Sequence, residues 1–261
     1  MITAGVDVGA KVAKVVILKD GQIVARAKAP VGFDINKSAS DVFETALKEA
    51  GITRADIQRV AATGMGRNVV LQKPPINADE VVSEVVADAA GAYQLVPTVK
   101  TVIDVGAEEG RGIKVEAGKV KDFVINERCA AGAGTFVEAM ARALEIKVED
   151  MGPMSLKSVN TIPMNAQCCV FAESEVVSLI HSKISKEDIS KAIHDAIAGR
   201  ISSMILRVGV EKDVVLIGGV ALNPGFKPPL ERELHSNIIV PESPDFVSAL
   251  GVAVITANPQ R

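Results

Sequence analysis

VDVGAKVAKVVILKDGQIV (6–24) and IDVGAEEGRGIKVEAGKVK (103–121) lie over one another at a constant offset of 97 residues (104 minus 7), pairing Asp7 with Asp104, Gly9 with Gly106, Ala10 with Ala107 and Gly21 with Gly118. One structural unit therefore occurs twice, and an internal repeat dictates architecture before any single motif does. In each copy a β-rich run enters a glycine turn and a second run follows. Asp20-Gly21 in one copy and Ala117-Gly118 in the other then return the chain as a third strand, Asp-Gly being a strong hairpin signal. Each half is expected to open with an antiparallel meander, with the boundary near Val96-Pro97 and lobes of 1–96 and 97–261.

Helical spacing follows the meanders. Val42, Phe43, Ala46 and Leu47 share one face of a helix predicted from about 40 to 50, capped by Ser38 and ended by Gly51. Ile189, Ile193, Ile197, Ile201, Ile205 and Val208 recur at three- and four-residue steps through 187–208, the pattern of a buried face. Further β-rich runs occupy 57–62, 213–218 and 237–240. The tail 244–258 reads as a final helix with Ser243 as cap and Pro244 in its first turn.

Composition narrows the function. With 261 residues and 48% apolar content the chain can bury a real core. Lys and Arg total 29 against 32 Asp and Glu, without long runs of either sign, so the footprint of a nucleic-acid binder is missing. There is no Trp and one Tyr, which removes base-stacking platforms. The opening residues lack a signal-peptide pattern, and no apolar run approaches the ~20 residues that span a bilayer, so a cytoplasmic protein without a membrane partner is expected. Three cysteines, two of them adjacent, do not form a disulfide framework; thiolate chemistry and simple burial remain.

A turn of the form Asp-x-Gly between two strands presents backbone N–H groups to an anion, and its glycine lets the chain approach a phosphate. The carboxylate can hold magnesium through water. Two such turns at matched places in a duplicated unit suggest paired phosphate clamps. A third segment, VVLIGGVALNPG (214–225), is an apolar strand running into Gly218-Gly219, where bare backbone suits an adenine or ribose.

In this order and spacing the three motifs resemble the acetate kinase, sugar kinase, Hsp70 and actin superfamily. The resemblance implies an α/β fold of two ribonuclease-H-like lobes with ATP in the cleft between them. By motif, Asp7, Gly9, Ala10, Lys11 and Lys14 fall in a first phosphate loop, and Asp104, Gly106, Ala107, Glu108 and Glu109 in a second. Gly218, Gly219, Val220 and Ala221 fall in an adenosine loop. Ala10 and Lys11 stand where relatives often carry Ser or Thr, so Lys11 or Lys14 is expected to bring charge to the phosphates instead.

Cys129 lies in NERCAAGAGTFVEAMARALE (126–145) and Cys168 in MNAQCCVFAESEVVSLIH (164–181), each at the opening of a helix-like segment that favours a thiolate. The spacing of 39 residues (168 minus 129) matches no local zinc or ferredoxin pattern, and one chain cannot supply four separated ligands. Two chains can. CAAGAG followed by C-x-VFAESEV resembles the BadF/BadG/BcrA/BcrD-type ATPases, the group of 2-hydroxyacyl-CoA dehydratase activators and ATPase subunits of class I benzoyl-CoA reductases. What the resemblance implies is a [4Fe–4S] cluster held by Cys129 and Cys168 from each of two subunits, with Cys169 not a ligand. It also implies ATP and Mg2+ organised by Asp7 and Asp104, and Glu108 or Glu109 orienting the attacking water.

Within that group IDVGAEEGRGIK (103–114) and MNAQC look more like the ATPase component of the benzoyl-CoA reductases. The expected activity is thus ATP-driven transfer of an electron from reduced ferredoxin to a benzoyl-CoA reductase catalytic subunit, by a homodimer or a heterodimer with a paralogous ATPase subunit. The alternatives are a homodimeric activator of a 2-hydroxyacyl-CoA dehydratase and, in another class, an N-acetylhexosamine-type kinase without a cluster.

Overall fold

Both Asp-x-Gly repeats fold as expected into antiparallel meanders. The computed structural model describes residues 1–126, 133–164 and 168–258. In the first copy β1 (Ile2–Val8), β2 (Val12–Lys19) and β3 (Gln22–Pro30) pair antiparallel, and β4 (Arg59–Thr63) and β5 (Glu80–Val81) add in parallel, giving the order β3-β2-β1-β4-β5. In the second, β6 (Thr101–Val105), β7 (Gly110–Glu116), β8 (Lys119–Asn126), β9 (Val214–Ile217) and β10 (Ile238–Ile239) take the matching order β8-β7-β6-β9-β10. The repeat therefore extends past its visible meander to the two parallel strands. At both hairpin tips the paired turn residues have left-handed φ, 52° and 78° at Asp20-Gly21 and 50° and 76° at Ala117-Gly118, which matches the twist of the flanking strands.

The chain divides into two compact units, one of Met1–Val99, Val115–Val120 and the segment from Phe246 onward, the other of Lys100–Lys114 and Lys121–Asp245. In the first, α1 (Ile35–Ala50) lays Ala39, Val42, Phe43 and Ala46 on β2 and β3. It starts earlier than the predicted 40 because Asp34, not Ser38, is the cap: Asp34 Oδ1 accepts from Lys37 N at 2.9 Å. Ser38 is already a helical residue, its Oγ accepting from Gly32 N and donating to Asp34 O. The helix ends as predicted at Gly51, φ 65°.

α8 (Val247–Ala257) covers the other face, packed on β1, β2 and β4, and α2 (Glu84–Leu95) packs on α8. They touch backbone to backbone. A Cβ on Gly251 would lie 1.8 Å from Ala87 O, and one on Gly91 2.1 Å from Val247 O. Ser248 Oγ donates to Asp88 Oδ1 at 2.6 Å across the same seam. The tail thus forms the expected helix, but Pro244–Phe246 is a separate 3-10 turn before it.

The second unit inserts α3 (Ala133–Ala143), α4 (Val148–Ser155), α5 (Cys169–His181) and α6 (Lys186–Ile205) between β8 and β9, and α7 (Lys227–Leu234) between β9 and β10. The isoleucine stripe of α6 is buried as its spacing predicts, joined by Phe136, Met140, Met151 and Phe226 in one core. Each such isoleucine contributes roughly 1.5–3 kcal/mol by leaving water. Ser185 caps α6 by accepting from Asp188 N, and the helix stops at Ile205, short of Val208.

Candidate functional site

Asp7 sits near the end of β1, 5% exposed, and its register partner on β2 is Lys14. Lys14 Nζ donates to Asp7 Oδ2 at 2.8 Å. A carboxylate this buried needs a counter-charge, and the antiparallel register supplies one. The other carboxylate oxygen lies against Gly64, just past β4. There φ is +88°, and a Cβ would sit 2.6 Å from Asp7 Oδ1 and 2.4 Å from Val8 O. Gly66 N donates to Val8 O at 2.9 Å, tying this turn to the end of β1. Ala10 is exposed at the loop tip, where Lys11 is half-buried.

The second unit repeats the arrangement. Asp104 near the end of β6 is 4% exposed and registers with Arg111 on β7. Arg111 donates to Asp104 Oδ2 through one guanidinium nitrogen and to Glu109 Oε2 through the other. Gly218, φ +90°, takes the place of Gly64, and its Cβ would lie 2.3 Å from Asp104 Oδ1. Gly106 N donates to Glu109 O, and the first turn of α3 seats on the loop, Gly134 N donating to Gly106 O and Thr135 N to Ala107 O. Glu109 is thus held in an ion pair, whereas Glu108 is exposed.

Arg111 and Gly64 are neighbours of the two aspartates that the identities in the repeat do not reveal. Arg111 lies at the 97-residue offset from Lys14 (111 minus 14), where a cation replaces a cation, and Gly64 matches Gly218 only through sheet topology.

The segment expected to receive adenosine follows β9. After Gly218 the chain forms a short 3-10 turn, Gly219–Leu222, with Gly219 exposed and open space where its Cβ would be. Val220 and Ala221 are buried beneath. Asn223 anchors the loop from behind: its Oδ1 accepts from Gly225 N at 3.0 Å, and its Nδ2 donates to His194 Nε2 at 3.0 Å. His194 Nδ1 donates to Ser190 O at 2.7 Å. Burial pushes the His194 pKa down, outweighing these hydrogen bonds, so the ring is held neutral.

Cys168 is the N-cap residue of α5, half-buried, its carbonyl accepting from Ala172 N at 3.0 Å while its sulfur makes no cap bond. Cys169 is the first helical residue and packs against the core of the second unit. Cys129 lies outside the described residues, four positions before α3, and α3 packs against α5. A thiol at a helix N-terminus is favoured as thiolate, the form in which cysteine ligates a metal.

The profile of the BadF/BadG/BcrA/BcrD ATPase family matches residues 4–256. The crystal structure of (R)-2-hydroxyglutaryl-CoA dehydratase component A of Acidaminococcus fermentans superposes with a TM-score of 0.95 at 37% identity, covering 99% of this chain and 98% of that one. The activator of 2-hydroxyisocaproyl-CoA dehydratase from Clostridium difficile with bound ADPNP gives 0.92 at 37% identity, covering 99% and 95%. A component of the benzoyl-CoA reductase of Thauera aromatica is 31% identical over 97% of this chain and 92% of its own.

A glucokinase of the ROK family from Streptomyces griseus, TM-score 0.63 at 14% identity over 98% of this chain and 99% of its own, shares the fold alone. The two-lobed α/β fold that the resemblance implies is thereby found. The preference for the benzoyl-CoA reductase type is not: similarity runs more strongly to the dehydratase activators. The short stretch 103–114 points one way and the chain as a whole points the other.

Proposed function

The chain belongs to the BadF/BadG/BcrA/BcrD ATPase family, and from that premise we propose that it is the ATP-dependent electron activator of a 2-hydroxyacyl-CoA dehydratase, working in the cytoplasm. The observation that carries the reading is likeness along 99% of the chain to two dehydratase activators, one of them with bound ADPNP.

Each unit contributes one phosphate loop. Asp7 and Asp104 supply buried anionic oxygens suited to a hydrated Mg2+ ion. Lys14 sits where it can pass from Asp7 to a phosphate oxygen, with the loop N–H groups of 9–11 beside it in the first unit; in the second unit the loop N–H groups of 107 and 108 are the counterparts. Because Glu109 is engaged by Arg111, the exposed Glu108 is the better placed of the two to orient the attacking water. Gly219 and its neighbours receive the adenosine on open backbone, held from behind by Asn223 and the neutral His194.

Cys168 and Cys129, with the same pair from a second subunit, would hold a [4Fe–4S] cluster, which when bound supplies storage of one low-potential electron from reduced ferredoxin. α5, capped by Cys168, leaves Val170, Phe171, Val177 and Ile180 exposed, an apolar face suited to a second copy. Nucleotide drives the transfer only if it binds two conformations unequally.

The test is anaerobic purification followed by iron analysis, visible absorption and Mg2+-dependent ATP hydrolysis in wild type and in Asp7→Ala and Asp104→Ala. The expected protein is brown and hydrolyses ATP, with both variants slowed on the order of a hundredfold. A colourless protein, or unchanged hydrolysis in both variants, overturns the reading.

A further inference from the structure

The two phosphate loops share their strand order and the place of their left-handed glycine, and they differ at a buried position on the neighbouring parallel strand. Parallel register pairs Asp7 with Thr63 and Asp104 with Ile217, the residue that precedes the left-handed glycine in each unit. Register partners on neighbouring parallel strands project to the same face of the sheet, about 4.8 Å apart, so Thr63 stands beside the Asp7 carboxylate. Its hydroxyl is completely buried and has no hydrogen-bond partner. The same position in the second unit is aliphatic.

A buried hydroxyl left unpaired is costly to a fold, and an isosteric aliphatic side chain would avoid the cost. The second unit uses one. A hydroxyl kept unpaired beside the one carboxylate whose register cation is a lysine points to a bond made in another state of the site. Threonine can turn about χ1 between staggered wells to bring its hydroxyl to a neighbour on the same face. Gly64 lets the turn lie directly against Asp7 Oδ1, because any side chain there would collide with it.

We propose that Thr63 is a positioning residue for the metal–nucleotide site of the first unit. Its hydroxyl donates to Asp7 when the Lys14 ammonium moves from Asp7 to phosphate, holding the carboxylate ionised and oriented toward hydrated Mg2+. The inference rests on the reading of the Asp7 loop as a phosphate site and adds to it that the two loops are unequal: the first has a donor in reserve, while the second is fixed by the Arg111 bridge between Asp104 and Glu109.

The experiment compares Thr63→Val and Thr63→Ser in the full chain, by calorimetric ADP affinity with and without Mg2+, by the Mg2+ dependence of ATP hydrolysis, and by thermal unfolding. Thr63→Val is expected to fold with unchanged or higher Tm, to bind ADP normally without Mg2+, and to lose about tenfold to a hundredfold in Mg2+-dependent affinity, the span of one charge-assisted hydrogen bond. Thr63→Ser should restore it. Wild-type Mg2+ dependence in a folded Thr63→Val protein overturns the proposal. Asp7→Ala separates the two failures: if it abolishes Mg2+-dependent binding and Thr63→Val does not, only the role of Thr63 falls. If Asp7→Ala also has no effect, the phosphate site itself is misplaced.

Discussion

Arg111 bridges Asp104 across the β6–β7 pair at the same place in its unit where Lys14 meets Asp7 across β1–β2. Both partners of the Arg111 pair are 6% exposed, so removing one leaves a buried charge without compensation. Arg111→Met is expected to lower the free energy of unfolding by about 3–5 kcal/mol, and Asp104→Asn in the same chain to restore part of it. Urea unfolding measures both. A loss under about 1 kcal/mol, the worth of a surface pair, would mean the bridge is not formed in solution.

The glycines that press on the two aspartates make a second case. Gly64→Ala and Gly218→Ala force a Cβ into Asp7 and Asp104 at a φ that alanine resists, a destabilisation of about 1–2 kcal/mol before any clash is counted. Both should impair nucleotide binding. Gly219→Ala meets nothing within 4 Å, so it should leave Tm unchanged and weaken only nucleotide affinity if adenosine lies on that backbone. Thermal scans with and without ADP distinguish the three.

Much of this is legible in the chain and some is not, for identifiable reasons. Asp7, Asp104 and both hairpin turns are fixed by local residue types repeated at one offset, so alignment finds them. The second glycine pair escapes because four α-helices, α3 to α6, lie between β8 and β9 where one α-helix, α1, lies between β3 and β4; the offset grows from 97 to 154 (218 minus 64). Thr63 escapes because an unpaired hydroxyl is a property of packing. The cap of α1 is ambiguous in the sequence because Ser38 and Asp34 are both good cap residues, and only the bond from Lys37 N decides between them. The choice between reductase and dehydratase lies in the whole chain's similarity, not in one twelve-residue stretch.

His194 gives the molecule a pH signature. Its folded pKa lies below the ordinary 6.5 because the ring is buried. As pH falls below about 6.5 the unfolded chain takes up a proton that the folded chain refuses, so stability falls, at most about 1.4 kcal/mol per pH unit, until the folded pKa is reached. Above about 7 this group contributes no slope. Urea midpoints from about pH 7.5 to 5 should drop in wild type and drop less in His194→Gln; equal slopes would assign the acid sensitivity elsewhere.

Cys168 caps α5 and Cys169 begins it, and the two differ in the role proposed for them. Cys168→Ser and Cys129→Ser should each remove the iron, about four atoms per two chains in the intact protein. Cys169→Ser should retain it, since that side chain packs on the core. Iron analysis after anaerobic purification reads the outcome, and full iron in Cys168→Ser would displace the ligand to another residue.

The proposed coupling of ATP hydrolysis to delivery of an electron into a dehydratase has a direct test. It consists of mixing the anaerobic, chemically reduced protein with a 2-hydroxyacyl-CoA dehydratase and its substrate, and following dehydration with ATP, with a non-hydrolysable analogue, and with the Asp7→Ala variant. Dehydration is expected to begin only with wild-type protein and hydrolysable ATP. Equal dehydration without ATP, or none from a protein that holds its iron and hydrolyses ATP, would contradict the account.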